Sequence, residues 1–214
     1  MIQVHHLNNS RSHRILWWLE EAGQPYEVVK YERDPQTMLA PPSLKKIHPL
    51  GKSPTIRDGD LILTESAAIL EYLSQTYGNG RMTSAMGTPD WVQERFWLHF
   101  AEGSLMSSLL VWFNLMRVGD AAKPVIDRVR GQIDVQLQHV EDRIRVSQHL
   151  AGSAFTLADI QMSYPLELGA ARGIITPTTF PSLLPYLRLI QSRPAYQAAV
   201  KRGGGYQYLL PASS

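Results

Sequence analysis

The chain has 214 residues, of which 44% are hydrophobic, and this length leaves room for two domains that each have a core. It contains no cysteine, which excludes disulfides, cysteine zinc ligands and a cysteine nucleophile, so any thiol chemistry needs the sulfur of a bound molecule. The net charge of +2 does not indicate a nucleic-acid partner. No apolar run reaches the roughly 18 residues that span a membrane, and the N-terminus has no signal-peptide pattern. We therefore expect a cytoplasmic protein.

The N-terminal segment has the pattern of a βαβ unit. Residues 2–7 and 26–31 predict two strands, and Ile15 and Leu19 recur at helical spacing between them. Gly23 marks the end of the intervening helix. Such a unit is expected to form parallel strands joined by a right-handed crossover.

A β-hairpin and a further helix complete this half of the chain. Asp58-Gly59 stands between two apolar-rich runs and predicts a tight turn. Glu65-Ser66 then begins a helix. Because the hairpin would add antiparallel strands to the same sheet, residues 1–78 predict a thioredoxin-like α/β domain.

The remaining residues predict helices and no strand. Residues 79–89 are rich in turn formers and predict a linker. Apolar residues step by three or four from Ile126 to Ile144, and Gly103 is expected to bend an earlier helix. We therefore predict an all-α C-terminal domain over residues 90–214.

One segment of the second half has the pattern of a capping box. Thr156 stands three residues before Asp159, so each side chain can bond to the main chain of the other at the start of a buried helix. We interpret this box as structural and expect its loss to cost about 1 kcal/mol.

A first candidate binding segment precedes the hairpin. Proline has no N–H for a sheet ladder, so Ser53-Pro54 is either an ordinary turn or an open edge that an extended peptide could join. A cis bond, which is almost confined to proline, would turn the Ser53 main chain outward. The neighbouring Lys52 is either a surface charge or the partner of a ligand carboxylate.

A second candidate segment begins the helix after the hairpin. The Ser66 hydroxyl and the N–H groups of the helix start can bind an anion, and Glu65 can accept an ammonium group. Simple N-capping is the alternative. Together with Lys52 and Ser53, these residues suit a short zwitterionic peptide that has carboxylates at both ends.

The turn after the first strand, Asn9-Ser10-Arg11-Ser12, is the third candidate. Its hydroxyls precede a helix, so a ligand thiolate there would gain a hydrogen bond and the positive end of the helix dipole. The alternative is that Ser10 or Ser12 only caps the helix.

Five segments together resemble the cytosolic glutathione transferase family, in order and over nearly the whole chain. They are NNSRSHRILWWLEEAGQPYE, APPSLKKIHPLGKSPTI, TESAAILEYL, FAEGSL and FTLADI. The sequence is most similar to the bacterial and fungal subgroup with SR after the first strand. The resemblance implies a thioredoxin-like domain plus an α-helical domain, a homodimer, and glutathione as co-substrate. It also implies the glutathione-binding residues, which are Lys52, the Ser53 main chain, Pro54, Glu65 and Ser66.

The resemblance also implies the chemistry. The family places a thiol-activating hydroxyl in the first turn, and we assign this role to Ser10, with Asn9 and Arg11 as alternatives. Glu102 would reach the γ-glutamyl amine from the partner subunit or through a network. The bound thiolate would attack a small electrophilic substrate, as in detoxification, with peroxide reduction as a second activity.

Two further expectations complete the sequence analysis. A non-catalytic docking protein of the same fold is the alternative function, favoured by the ambiguous first turn and opposed by the otherwise intact peptide site. The seven histidines lack ligand spacing, so we expect no metal site.

Overall fold

The computed structural model describes residues 1–211. The elements of the first half are β1 (Ile2–Leu7), α1 (His13–Ala22), β2 (Tyr26–Tyr31), a 3-10 helix (Pro42–Lys46), β3 (Thr55–Asp58), β4 (Leu61–Thr64) and α2 (Ser66–Tyr77). The elements of the second half are α3 (Pro89–Phe100), a π-helical segment (Ala101–Met106), α4 (Ser107–Met116), a 3-10 helix (Gly119–Ala122), α5 (Lys123–Val146), α6 (Leu157–Ala171), α7 (Leu183–Gln191) and α8 (Pro194–Gly203).

The four strands form one mixed sheet in the order β2-β1-β3-β4. Strand β1 pairs in parallel with β2 and antiparallel with β3, and β3 pairs antiparallel with β4. This arrangement confirms the predicted βαβ unit followed by a hairpin in the same sheet. The fold is the predicted α/β thioredoxin-like domain followed by an all-helical region.

The described chain forms two compact units. The first contains residues 1–82 and the segment from Ile190 onwards, and the second contains Thr83–Leu189. The boundary after Met82 falls inside the predicted 79–89 linker. The sequence analysis assigned all of residues 90–214 to the helical domain. The tertiary contacts instead group the segment from Ile190 with the thioredoxin-like unit. Residues 212–214 lie outside the described residues.

Helix α1 contributes several of the largest buried side chains of the first unit. Its Ile15, Trp17 and Trp18 side chains are fully buried, and the helix packs against β1, α2 and α8. An ion pair joins α1 to the C-terminal segment, because the Arg193 guanidinium donates to both carboxylate oxygens of Glu21, at 2.5 and 2.9 Å. The C-terminal segment is thus part of the core of the unit that carries the candidate site.

The second unit, Thr83–Leu189, consists of helices joined by turns and loops and has no strand among these residues. The regular helix that begins at Pro89 is interrupted by the π-helical segment, which contains Gly103, at the point where the sequence predicted a bend. The buried Trp97 indole stacks at 4.9 Å on the ring of His139, which is exposed on its other side. Within residues 1–211, no helix is both long enough and apolar enough to cross a lipid bilayer.

Candidate active site

The register of the sheet brings three of the predicted segments to one edge. His5, near the end of β1, lies opposite Thr55 at the start of β3, and Thr55 lies opposite Thr64 at the end of β4. The turn after β1, the loop before β3 and the residues after β4 therefore emerge at the same edge. These are the segments 8–12, 52–54 and 65–66.

The Ser53-Pro54 loop is fastened to β1 by a side chain. The Ser53 hydroxyl donates to the His5 carbonyl at 2.8 Å and accepts from the Leu7 N–H at 3.2 Å. The peptide bond before Pro54 is cis, and the Pro54 carbonyl accepts from the Thr64 hydroxyl at 3.0 Å. Because the Ser53 hydroxyl is already engaged, a ligand at this position would bind to the main chain.

The charged and hydroxyl groups around this loop differ in their exposure. Lys52 and Glu65 are exposed, whereas Ser66, the first residue of α2, is 5% exposed. Glu65 has a φ of 74°, which is uncommon for a residue with a side chain. Backbone conformations of this kind are concentrated at binding sites, and here the conformation occurs directly before the start of a helix.

The turn after β1 has its hydroxyls inside rather than in solvent. Ser10 is 4% exposed and Ser12 is fully buried, and their Oγ atoms lie 2.7 Å apart. Ser12 is the N-cap residue of α1 but makes no side-chain capping bond. The simple capping alternative therefore does not describe Ser12, whose hydroxyl instead contacts Nδ1 of His6 at 2.9 Å.

Asn9 and Arg11, the alternatives to Ser10, are both half-buried. Asn9 adopts a φ of 50°, which asparagine tolerates better than most residues. Its Oδ1 accepts from the Gln207 N–H at 2.9 Å, so the turn is joined to the C-terminal segment.

Two histidines beside this turn are held neutral. Burial, followed by the charge of Lys30, lowers the pKa of His6 to about 4, while the Gly203 main chain acts in the opposite direction. Burial, followed by the charges of His6 and Arg14, lowers the pKa of His13 to about 3. Both imidazoles are therefore neutral near neutral pH.

The C-terminal contribution to the site was missed by the sequence analysis. The His13 ring stacks on Tyr206 at 4.4 Å and meets the edge of Tyr196 at 4.7 Å. The available clue was the run of three glycines from Gly203, followed by an aromatic residue, because such a run allows a close approach of the main chain. Its contact partner lies almost 200 residues earlier and has no local signature.

Glu102, the last predicted site residue, lies in the other unit. It is half-buried in the π-helical segment between α3 and α4. The segments 8–12, 52–54 and 65–66 are thus brought together by the sheet, and Glu102 is not among them.

Comparisons with known proteins agree with this arrangement. Family models described as the N-terminal and C-terminal domains of glutathione S-transferase match residues 1–75 and 90–194. Glutathione S-transferase 3 of Schizosaccharomyces pombe is 33% identical, over 94% of this chain and 88% of its own. Glutathione S-transferase 1 of Saccharomyces cerevisiae is 32% identical, over 94% and 95%.

Solved structures show the same likeness. A glutathione S-transferase from Actinobacillus pleuropneumoniae superposes with a TM-score of 0.88 at 33% identity, over 96% of this chain and 94% of that one. A sphingomonad glutathione S-transferase solved in complex with glutathione has a TM-score of 0.78 at 25% identity, over 94% and 98%. The chain therefore belongs to the glutathione S-transferase family.

Proposed function

We propose that this glutathione transferase binds glutathione along the edge of its thioredoxin-like unit and holds the thiol as a thiolate beside Ser10. The observation that carries the proposal is the strand register, which gathers the turn after β1, the Ser53 loop and the start of α2 at one edge. The enzyme class follows from the family, and glutathione is its co-substrate.

Each part of the edge suits one part of the tripeptide. The Ser53 main chain is suited to pair with the extended cysteinyl unit, since the Ser53 hydroxyl is already bonded to β1. The exposed Lys52 ammonium suits the glycine carboxylate. At the other end, Ser66 and the N–H groups of the first turn of α2 suit the γ-glutamyl carboxylate, and Glu65 suits its ammonium group.

The thiol then lies beside the turn after β1. A hydrogen bond from the Ser10 hydroxyl and the start of α1 would stabilise the thiolate over the thiol and so lower the thiol pKa. Asn9 and Arg11 remain the alternative donors. Since the chain contains no cysteine, the sulfur of glutathione is the nucleophile, and binding both substrates side by side supplies much of the rate gain.

The test is the thiol titration of bound glutathione, followed by the ultraviolet absorbance of the thiolate. We expect a thiol pKa below that of free glutathione in the wild type, and an increase of about one unit, equivalent to 1.4 kcal/mol, in Ser10→Ala. The same titration in Asn9→Ala is the matched comparison. An unchanged thiol pKa in Ser10→Ala would remove Ser10 from the role.

Turnover distinguishes the enzyme from the docking alternative. We expect the protein to be retained on immobilised glutathione, to conjugate a chlorinated aromatic substrate, and to reduce an organic hydroperoxide as a second activity. Retention without either reaction would favour docking.

We also propose that the protein is a cytoplasmic homodimer of the bacterial and fungal subgroup with a detoxifying role. In that assembly Glu102 would act on the γ-glutamyl amine, directly from the partner or through a network. Sedimentation equilibrium tests the dimer. A Glu102→Gln variant with an unchanged KM for glutathione would refute the assignment of Glu102.

A further inference from the structure

A buried chain of hydrogen bonds leads from the candidate thiol-activating hydroxyl to a histidine. Ser10 Oγ lies 2.7 Å from Ser12 Oγ, which lies 2.9 Å from Nδ1 of His6. All three residues are at most 4% exposed. Three main-chain groups join the chain. The Ser12 N–H donates to Ser10 Oγ at 3.2 Å and the Leu7 N–H donates to Ser12 Oγ at 3.3 Å, while the Leu7 carbonyl lies 3.3 Å from Ser12 Oγ as a possible acceptor.

Counting protons gives two arrangements of this chain. A hydroxyl has one proton and two lone pairs, and a neutral imidazole carries its proton on one of its two nitrogens. If the His6 proton is on Nδ1, Ser12 Oγ accepts from His6 and from the Leu7 N–H, which it shares with Ser53 Oγ. The Ser12 proton then goes to Ser10 Oγ at 2.7 Å, which is a much shorter contact than the 3.3 Å to the Leu7 carbonyl. Ser10 Oγ then has both lone pairs filled, by Ser12 Oγ–H and Ser12 N–H, and its own proton is available to a ligand.

The other tautomer reverses the chain. If the His6 proton is on Nε2, Ser12 donates to Nδ1 and must accept from Ser10. Ser10 then offers a ligand a lone pair and no proton. The first arrangement suits a thiolate, which needs a donor, and the second suits a neutral thiol, which needs an acceptor.

The geometry points to His6 as a positioning residue: with its proton on Nδ1 it fixes the Ser12 hydroxyl so that Ser10 presents its proton to the glutathione thiolate. This inference rests on the proposed role of Ser10. It adds a residue from the middle of the sheet that does not itself touch the substrate.

The surroundings of Nε2 act on the choice of tautomer. The His6 ring borders a cavity of about 420 Å³, whose lining includes Lys30, Glu32 and Gly204, but Nε2 itself is buried. The Lys30 charge lowers the pKa of His6, whereas a hydrogen bond with the Gly203 main chain raises it. A proton on Nε2 would therefore have the Gly203 main chain as its partner, and a proton on Nδ1 has Ser12 Oγ.

The C-terminal segment holds the ring in place. A Cβ at Gly203 would lie 3.1 Å from Nε2 and 3.3 Å from Cε1 of His6, so the glycine main chain fits closely against the ring. The same segment bonds Asn9 through the Gln207 N–H and stacks Tyr206 on His13. Residues 195–211 lie beyond the matched family models, so this support comes from this chain's own C-terminal segment.

A matched pair of variants tests the inference. In His6→Asn the amide can replace Nδ1 as a donor to Ser12, whereas in His6→Gln the amide lies one bond further out and the contact is lost. We expect the thiol pKa of bound glutathione to rise by about one unit in His6→Gln, to stay near the wild-type value in His6→Asn, and the KM for glutathione to change less than twofold in either.

A double-mutant cycle separates positioning from a general structural effect. If His6 acts through Ser10, the Ser10→Ala/His6→Gln double variant should have the same thiol pKa as Ser10→Ala alone. A further rise in the double variant, or equal values for the Asn and Gln variants, would overturn the inference. If Ser10→Ala changes the thiol pKa and His6→Gln does not, the inference about His6 is wrong but the proposed function stands. If the protein does not bind glutathione at all, the proposed function itself is wrong.

A direct measurement does not depend on these variants. The nitrogen chemical shifts of His6 in the wild type saturated with glutathione, above the thiol pKa of the complex, should be those of the Nδ1–H tautomer. Shifts of the Nε2–H tautomer in that complex would refute the inference.

Discussion

Removing the Asp159 carboxylate should destabilise the helical unit far more than the loss of an ordinary helix cap. Asp159 is fully buried. One oxygen accepts from the Thr156 N–H at 2.8 Å, and the other accepts from the Leu150 N–H at 3.0 Å and the Tyr186 hydroxyl at 2.7 Å. Asp159→Ala leaves at least two buried N–H groups unpaired at about 1–3 kcal/mol each, so we expect a loss of about 4 kcal/mol.

Urea unfolding of the full chain measures this loss. With an m-value of about 2.5 kcal/mol/M, a loss of about 4 kcal/mol lowers the midpoint by about 1.5 M. Tyr186→Phe is the matched control, because it removes one donor and should cost only about 1 kcal/mol. If Asp159→Ala costs no more than Tyr186→Phe, the carboxylate is not the centre of this network and the reasoning fails.

Three further changes test the first unit. Ser53→Ala removes both hydrogen bonds that attach the loop to β1, so it should raise the KM for glutathione more than it lowers kcat. A larger decrease in kcat than increase in KM would contradict the role of the loop. Gly203→Ala pushes a methyl group against His6 and should raise the thiol pKa of bound glutathione. Gly131→Ala, at an open helical position, should instead raise the urea midpoint. Equal effects of the two variants on the thiol pKa would refute the close fit at Gly203. The pKa values of His6 and His13 in the folded state are about 4 and about 3, below the 6.5 of the unfolded state. As the pH falls from 7 to 5.5, the unfolded state therefore takes up protons that the folded state does not, and the free energy of unfolding should fall by about 2.5 kcal/mol. His6→Gln should roughly halve this loss.

The predictable part of the fold is the part with local signals. Strand β1, helix α1 and the hairpin at Asp58-Gly59 each follow from spacing and turn residues within about ten positions of one another. The interruption at Gly103 was predictable for the same reason. The stability role that the fold implies for Asp159 is larger than the capping box predicts. The box identifies only the Thr156 bond, whereas the Leu150 N–H, nine residues earlier, belongs to no motif and Tyr186 is brought to the carboxylate by the tertiary fold.

The candidate site divides in the same way. Lys52, Ser53, Glu65 and Ser66 stand next to turn and helix-start signals, so their positions at the edge follow once the strand order is known. The position of the segment from Ile190 does not follow from local signals. Helix α8 packs on α1, and residues far apart in the sequence, such as Arg193 and Glu21, pair there. No periodicity in the C-terminal segment specifies which unit it joins.

The same non-local packing explains why a first-turn motif leaves the thiol-activating residue ambiguous. Asn9, Ser10 and Arg11 are adjacent, and each is a polar donor when read in isolation. In the fold their surroundings differ. Asn9 Oδ1 is bonded to the Gln207 N–H, whereas Ser10 is bonded to the Ser12 hydroxyl, which also contacts a neutral imidazole. Since the direction of a hydroxyl proton depends on its bonded neighbours, the activity of Ser10 as a donor is a property of β1 and the C-terminal segment as much as of the turn that contains it.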